Sequence, residues 1–273
     1  MLDNRSESVD LGDPMPSFNY CRFPPGVLIR RLPDGGLDIS QALADLLVSS
    51  RNNYDWPAGT GARESQNAII ELEHNVEDLL RGLDPARIHQ IIKKVSLWGG
   101  NNANAQRRIE GASREDQVRM RDAIRHIMNR FTLKRGLDEL SMLPGLRLII
   151  ATKVFRFCCH TWGAAVDRHA SHFFNSLQIV GPNGTCGLST DFRREWSNGK
   201  RKSTRLAIYS SAGHRLNCVE FVDAYLPLLT QIAESLNILG ATYRCAVTGI
   251  NKSWRPADVE MAAYYWWARK GSR

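Results

Sequence analysis

Apolar residues recur along the chain at the three- and four-residue spacing of amphipathic helices, with almost no strand-like alternation. One apolar stripe runs through Ile39, Leu43 and Leu47, and another runs from Ile69 to Leu80. We therefore expect an all-α fold, with one short strand at most in the N-terminal arm. The pattern predicts helices at about 38–50, 66–82, 85–98, 113–131, 137–142, 148–160, 167–177, 217–237 and 256–269.

Local start and stop signals support several of these helices. Asp84 followed by Pro85 is typical of a helix start, because aspartate caps free amides and proline fits the first helical position. Gly99 and Gly100 would end that helix. Ser113 and Asp116 have the spacing of a capping box.

The stretch 140–177 carries the most chemical information. It is expected to contain a short helix, a tight turn at Leu143-Pro144-Gly145, a second helix, and a third helix that begins at Asp167. The amides in the first turn of a helix lack partners inside the helix, and the helix dipole favours a negative charge beside them. The second helix is therefore a candidate phosphate-binding site.

These residues resemble the helix-hairpin-helix DNA glycosylases, whose hairpin reads Leu-Pro-Gly-hydrophobic-Gly and is followed by Val-Asp-x-His. Leu143-Pro144-Gly145-Leu146 matches the first motif and Val166-Asp167-Arg168-His169 matches the second, 22 residues after Gly145. The resemblance covers about 38 residues. It implies two helical subdomains with a groove between them, and an enzyme that flips a damaged or modified base and hydrolyses its N-glycosidic bond.

The resemblance assigns Asp167 the catalytic role of activating water and stabilising the oxocarbenium ion, although an aspartate there could also simply cap its helix. Ile149 stands where bifunctional members carry a lysine, so a monofunctional enzyme is expected. Lys153, one turn further, is the candidate nucleophile of an alternative bifunctional glycosylase/lyase. Arg147 replaces the second hairpin glycine and is expected to alter the turn or to contact a phosphate. Another alternative is a catalytically inactive DNA-binding protein.

A second likeness involves the stretch Ser49-Ser50-Arg51-Asn52-Asn53, which is similar to the Ser-Ser-Asn-Asn stretch of 8-oxoguanine glycosylases. In that family the stretch ends a helix whose tip enters the DNA stack. The resemblance makes Asn52 and Asn53 candidate DNA contacts, while the alternative is an ordinary polar helix end.

Charge agrees with a nucleic-acid partner. The 273 residues carry 36 Lys and Arg against 28 Asp and Glu, a formal net charge of +8. Such an excess favours a polyanionic partner, either nucleic acid or an anionic membrane surface. The resemblance implies that the partner is double-stranded DNA with a damaged or modified base. In the basic stretch 193–205, predicted to be a loop, Arg201 and Lys202 are candidate DNA contacts.

Composition excludes several other classes. No apolar run is long enough to cross a membrane, and the polar start of the chain does not resemble a secretory signal, so we expect a protein that is not secreted. The resemblance then places it in the cytoplasm with the nucleoid, or in the nucleus. The six cysteines are scattered, so we expect reduced thiols, no metal, no iron–sulfur cluster and no other cofactor.

The expected organisation has three parts. An irregular arm at 1–37 precedes a helical glycosylase core at 38–178, which contains the hairpin at 143–147. Residues 179–273 form a basic loop and C-terminal helices that pack with the N-terminal part. A monomer is expected, and the sequence does not identify the base.

Overall fold

A computed structural model describes residues 23–57, 59–180, 195–197, 200–203 and 218–269. Its α-helices are α1 (Gln41–Asn52), α2 (Ala62–Leu80), α3 (Pro85–Trp98), α4 (Ala103–Glu110), α5 (Arg114–Ile127), α6 (Leu133–Ser141), α7 (Leu148–Cys158), α8 (Arg168–Ser176), α9 (Leu226–Ile238) and α10 (Pro256–Arg269). A π-helical turn at Phe221–Tyr225 leads into α9. The strands are β1 (Leu28–Arg31), β2 (Leu37–Ile39), β3 (Gln178–Val180), β4 (Glu195–Ser197), β5 (Lys200–Ser203), β6 (Tyr243–Arg244) and β7 (Asn251–Lys252).

The prediction of a mostly helical chain is confirmed. The predicted caps are also present: the Asp84 carboxylate accepts the amides of Ala86 and Arg87, and Ser113 and Asp116 form a reciprocal capping box. The sequence prediction missed helix α4. Ile109 is its only buried residue, so α4 has no apolar stripe that periodicity could detect.

The expectation of at most one short strand was wrong. Three strands form a sheet in the order β2-β1-β3, in which Ile29 of β1 pairs with Ile39 of the antiparallel β2. β3 is parallel to β1 and directly follows α8, so the sheet ties α8 to the start of the described chain. Strands of two to four residues are too short for alternation to be recognised. Residues 1–22 of the predicted arm lie outside the described residues.

The first and last helices of the described chain are joined by a buried ion pair. The Arg51 guanidinium at the end of α1 contacts the Asp258 carboxylate of α10 at 3.0 Å, with both side chains at 2% exposure or less. Two further contacts join distant parts of the chain, since Phe23 stacks on Trp266 and the Ser235 hydroxyl donates to the Leu37 carbonyl.

Asp258 belongs to a larger buried network. Arg255 also contacts Asp258 and reaches Glu73 of α2, and Glu73 lies 3.8 Å from the buried Arg156 of α7. Burial alone would raise the pKa of Asp258, but the charges of Arg255 and Arg51 outweigh it and hold the pKa at about 2. The network therefore connects α1, α2, α7 and α10 through paired charges.

No helix among the described residues is long and apolar enough to cross a membrane. The four cysteines in the described ranges are free thiols.

Replacing Asp258 by asparagine tests this network. D258N leaves the buried Arg51 guanidinium without its ion-pair partner and leaves Arg255 with Glu73 as its remaining partner, so the free energy of unfolding at pH 7 should fall by about 3–5 kcal/mol in urea titrations. The folded-state pKa of Asp258 is depressed, so its contribution is present above about pH 4 and is lost as pH falls through about 2. D258N should lack this part of the acid dependence.

The matched control is Asp122→Asn, which removes a half-exposed carboxylate paired with Arg121 and Arg125. Exposed pairs contribute about 0–1 kcal/mol. If D122N costs as much as D258N, the buried network has no special role in stability.

Candidate active site

The turn between α6 and α7 is closed by buried leucines and one glycine. Leu143 and Leu146 are buried, and the Leu146 amide donates to the Leu143 carbonyl at 3.0 Å. Gly145 has a φ of +79°, and a Cβ placed on it would collide with the carbonyl oxygen of Ala105 in α4. The turn therefore requires glycine for both its backbone conformation and its contact with α4.

Arg147 does not alter the turn in the way the sequence suggested. Its φ of −124° and ψ of 169° are ordinary extended values that any residue adopts. Arg147 is the N-cap residue of α7 and its side chain is exposed, so the basic group stands beside the start of the helix. Arg147 thus adds a positive charge at this position without backbone strain.

The start of α7 has free amide donors. The amides of Arg147, Leu148 and Ile149 have no acceptor among the described residues, whereas those of Ile150 and Ala151 already donate to the Arg147 carbonyl. Pro144 is exposed and Ile149 is partly buried at the same end. An anion at this end would meet unpaired amides, the positive end of the helix dipole and the nearby guanidinium.

A small cavity lies further along α7. Its volume is about 20 Å³, which is room for about one water molecule. It is lined by Tyr54, Trp56, Trp98, Lys153, Ala165, Asp167, Glu260 and Tyr264. Aromatic walls therefore surround one amine and two carboxyl groups.

Asp167 reaches the cavity because it is the N-cap of α8. Its carboxylate accepts the Ala170 amide at 2.9 Å, which fixes the side chain against the helix start. Asp167 therefore caps α8 and lines the cavity at once, whereas the sequence had suggested capping and catalysis as alternatives.

Lys153 lies in the same cavity as Asp167. Its Nζ donates to the Gly99 carbonyl at 2.7 Å and lies 5.5 Å and 5.8 Å from the ring centres of Trp56 and Trp98. The two aromatic faces hold the ammonium by cation–π attraction. Lys153 is five residues beyond the start of α7, about 7.5 Å along the helix from the unpaired amides of its first turn.

The loop after α3 connects the turn with the cavity. Gly99 accepts the hydrogen bond from Lys153, and the Asn101 side-chain amide donates to the Gly145 carbonyl at 3.3 Å. Trp56 donates its ring N–H to the Trp98 carbonyl at 2.8 Å, which anchors one aromatic wall to the end of α3.

Burial dominates the titration of the three ionisable groups. It lowers the pKa of Lys153, against the opposing charges of Asp167 and Glu260. It raises the pKa of Asp167, against the hydrogen bond from the Ala170 amide and the charge of Lys153. It raises the pKa of Glu260 to about 8, and repulsion from Asp167 adds to this rise. An amine with a lowered pKa thus faces one capped carboxylate and one carboxyl that holds its proton near neutral pH.

The remaining sequence candidates lie elsewhere. Asn52 accepts the backbone amide of Arg244 in β6 at 2.8 Å, and Asn53 donates to the Ser49 carbonyl. Both asparagines are therefore engaged with protein at the end of α1. Arg201 and Lys202 lie on β5, which pairs with β4, rather than in the predicted loop.

Comparison with known proteins adds nothing to this geometry, since no family model, curated protein or solved structure matches the chain.

The sequence prediction did not identify four of the residues that line the cavity. Glu260 and Tyr264 come from α10, about 95 residues after Asp167, and Tyr54 and Trp56 come from the segment after α1. Their spacing of four residues places Glu260 and Tyr264 on one helix face. The only signal available was the presence of two acidic residues, Asp258 and Glu260, within a largely apolar helix.

Substituting Gly145 tests the turn. G145A adds a methyl group at a positive φ, which costs about 1–2 kcal/mol, and forces it against α4, which costs about 1–3 kcal/mol more. The control is Gly240→Ala, because Gly240 also has a positive φ but has open space around it. Thermal or urea unfolding should show a larger loss for G145A, and equal losses would mean that the contact with α4 is unimportant.

Proposed function

We propose that the chain is a DNA glycosylase that takes a modified base out of the duplex and hydrolyses its N-glycosidic bond. The observation that carries the proposal is that Asp167 and Lys153 meet in one aromatic-walled cavity, about one and a half helical turns from an anion-binding turn. The resemblance to helix-hairpin-helix glycosylases, in residues 143–146 and 166–169, supports the same conclusion. The net charge of +8 suits a DNA partner.

In this proposal the turn binds the DNA backbone. The free amides at the start of α7, with the exposed Arg147, would hold a phosphate without reading the sequence. A phosphate bound there places the neighbouring nucleotide near the cavity. Since the cavity holds only about one water molecule, a base enters only when aromatic walls such as Trp56 or Tyr264 move aside.

Asp167 would perform the chemical step. Cleavage of an N-glycosidic bond passes through an oxocarbenium-like sugar, which a carboxylate beside C1′ stabilises. The same carboxylate can accept a proton from the attacking water. Burial raises the pKa of Asp167, while the amide of Ala170 and the charge of Lys153 oppose that rise and favour the charged form that both tasks require.

The structure also favours a second candidate, a bifunctional glycosylase/lyase. The Lys153 amine lies in the cavity, and burial lowers its pKa, which increases the fraction that is neutral and nucleophilic. Attack of Nζ on C1′ would release the base and leave a Schiff base with the opened sugar. Water and Lys153 are thus competing nucleophiles in the same site.

Asp167→Asn is the direct test of the glycosylase. Asparagine keeps the N-cap hydrogen bond but removes the charge, so the fold should be retained while base release falls by about 10²- to 10⁴-fold. Duplexes with a panel of modified bases would be incubated with each protein, and released bases measured by mass spectrometry. Asp84→Asn, which changes the N-cap of α3 in the same way, is the matched control.

A D167N protein that excises bases at the wild-type rate would contradict the proposal. A wild-type protein that binds duplex DNA and releases no base from any duplex would instead indicate a non-enzymatic DNA-binding protein.

Borohydride trapping separates the two nucleophiles. If Lys153 attacks C1′, reduction on DNA with an abasic site should give a covalent adduct that K153A no longer forms. Lys94→Ala removes an exposed lysine on α3 and should leave the adduct unchanged. If base release occurs without any adduct, water is the nucleophile.

A further inference from the structure

Glu260 is the one acid in the cavity that neither the hairpin motif nor the capping pattern explains. It lies in the first half of α10, is 7% exposed, and faces the cavity together with Asp167 and Lys153. No hydrogen bond or close ion pair to its carboxyl occurs among the described residues. A buried carboxyl without such partners is costly and is typical of a functional site.

The two carboxyl groups of the cavity have different environments. Asp167 receives the Ala170 amide and sits at the positive end of the α8 dipole, and both stabilise its charged form. Glu260 has neither advantage: burial and the negative charge of Asp167 raise its pKa to about 8, against the positive charges of Arg156, Lys153 and Arg51. When two carboxyl groups share a poorly solvated site, the one whose charged form is less stabilised keeps its proton. In this cavity that group is Glu260.

We propose that Glu260 is the general acid that donates its proton to the departing base, and that the substrate is accordingly an electrically neutral modified base. This inference rests on the proposed glycosylase function. In the reaction, the bond between C1′ and the base nitrogen breaks, and its electron pair stays on the base, which takes the proton from Glu260. Water adds to C1′ and gives its proton to Asp167, and exchange with solvent returns both carboxyls to their starting states.

The choice of a neutral base follows from what the cavity already contains. A cationic alkylated base leaves as a neutral molecule and needs no acid. It would also meet the Lys153 ammonium, which already occupies the faces of Trp56 and Trp98. A neutral base leaves as an anion unless it is protonated, so an acid at this position accelerates its departure.

The test compares single-turnover base release from duplexes with neutral bases (8-oxoguanine, uracil or 5-hydroxymethyluracil) and with cationic 7-methylguanine. Wild-type release of the neutral substrate should fall tenfold per pH unit above about pH 8, where Glu260 loses its proton. E260Q keeps the shape of the side chain without its acidity, so release at pH 7 should fall by about 10²- to 10⁴-fold and the alkaline decrease should disappear.

Two further variants keep the result interpretable. E260D retains an acid, so it should restore part of the rate together with the alkaline decrease, which a structural role would not produce. If E260Q fails to fold, the alkaline decrease of E260D still tests whether residue 260 acts as the acid. Glu77→Gln, a half-exposed glutamate of α2 paired with His160, should match the wild type.

Each outcome has a distinct meaning. E260Q that releases neutral bases at the wild-type rate, or a wild-type preference for 7-methylguanine, overturns the role of Glu260 and leaves the glycosylase proposal standing. A wild-type protein that releases no base from any of the duplexes overturns both.

Discussion

The buried ion pair between Arg51 and Asp258 is the constraint on which the rest of the site depends. It fixes the end of α1 against the start of α10 with almost no solvent access. Tyr54 and Trp56 lie three and five residues after Arg51, and Glu260 is two residues beyond Asp258. The contact that pairs these two buried charges therefore brings together the cavity residues that follow α1 and those on α10.

The cavity concentrates charge where water is scarce. Behind it lies Arg156, a buried cation that stacks against Phe157 and Trp98 and adds positive potential near Glu260 and Lys153. In such an environment hydrogen bonds and nearby charges have more effect on protonation than they have in water. One amine and two carboxyl groups can then hold different protonation states in one cavity, and acid–base chemistry requires this difference.

The parts of this architecture that were predictable are those that local sequence specifies. Caps such as Asp84 and the stripes of α2 and α3 depend on residues within a few positions, so they could be recognised. Helix α4 has one buried residue, Ile109, and the sheet depends on pairing between β1 and the distant β3; neither leaves a periodic signal. The pairing of β1 with β3 exists only in the folded chain.

The same division applies to the candidate site. Asp167 and Lys153 were named because of their spacing from a recognisable turn, Lys153 only as the nucleophile of the bifunctional alternative. Glu260 and Tyr264 could not be identified, because only folding brings α10 to α7 and α8. At Arg147 the motif itself led to a wrong prediction, because it suggested a distorted turn and the backbone there is extended.

The place of α10 in the chain has a consequence for biosynthesis. The ribosome makes the turn at 143–147 and both Lys153 and Asp167 more than 80 residues before it makes Glu260 and Tyr264. A nascent or truncated chain that ends before Pro256 would contain the turn at 143–147 but would lack one wall of the cavity and the partner of Arg51. The cavity can therefore be assembled only after synthesis of the chain has passed α10.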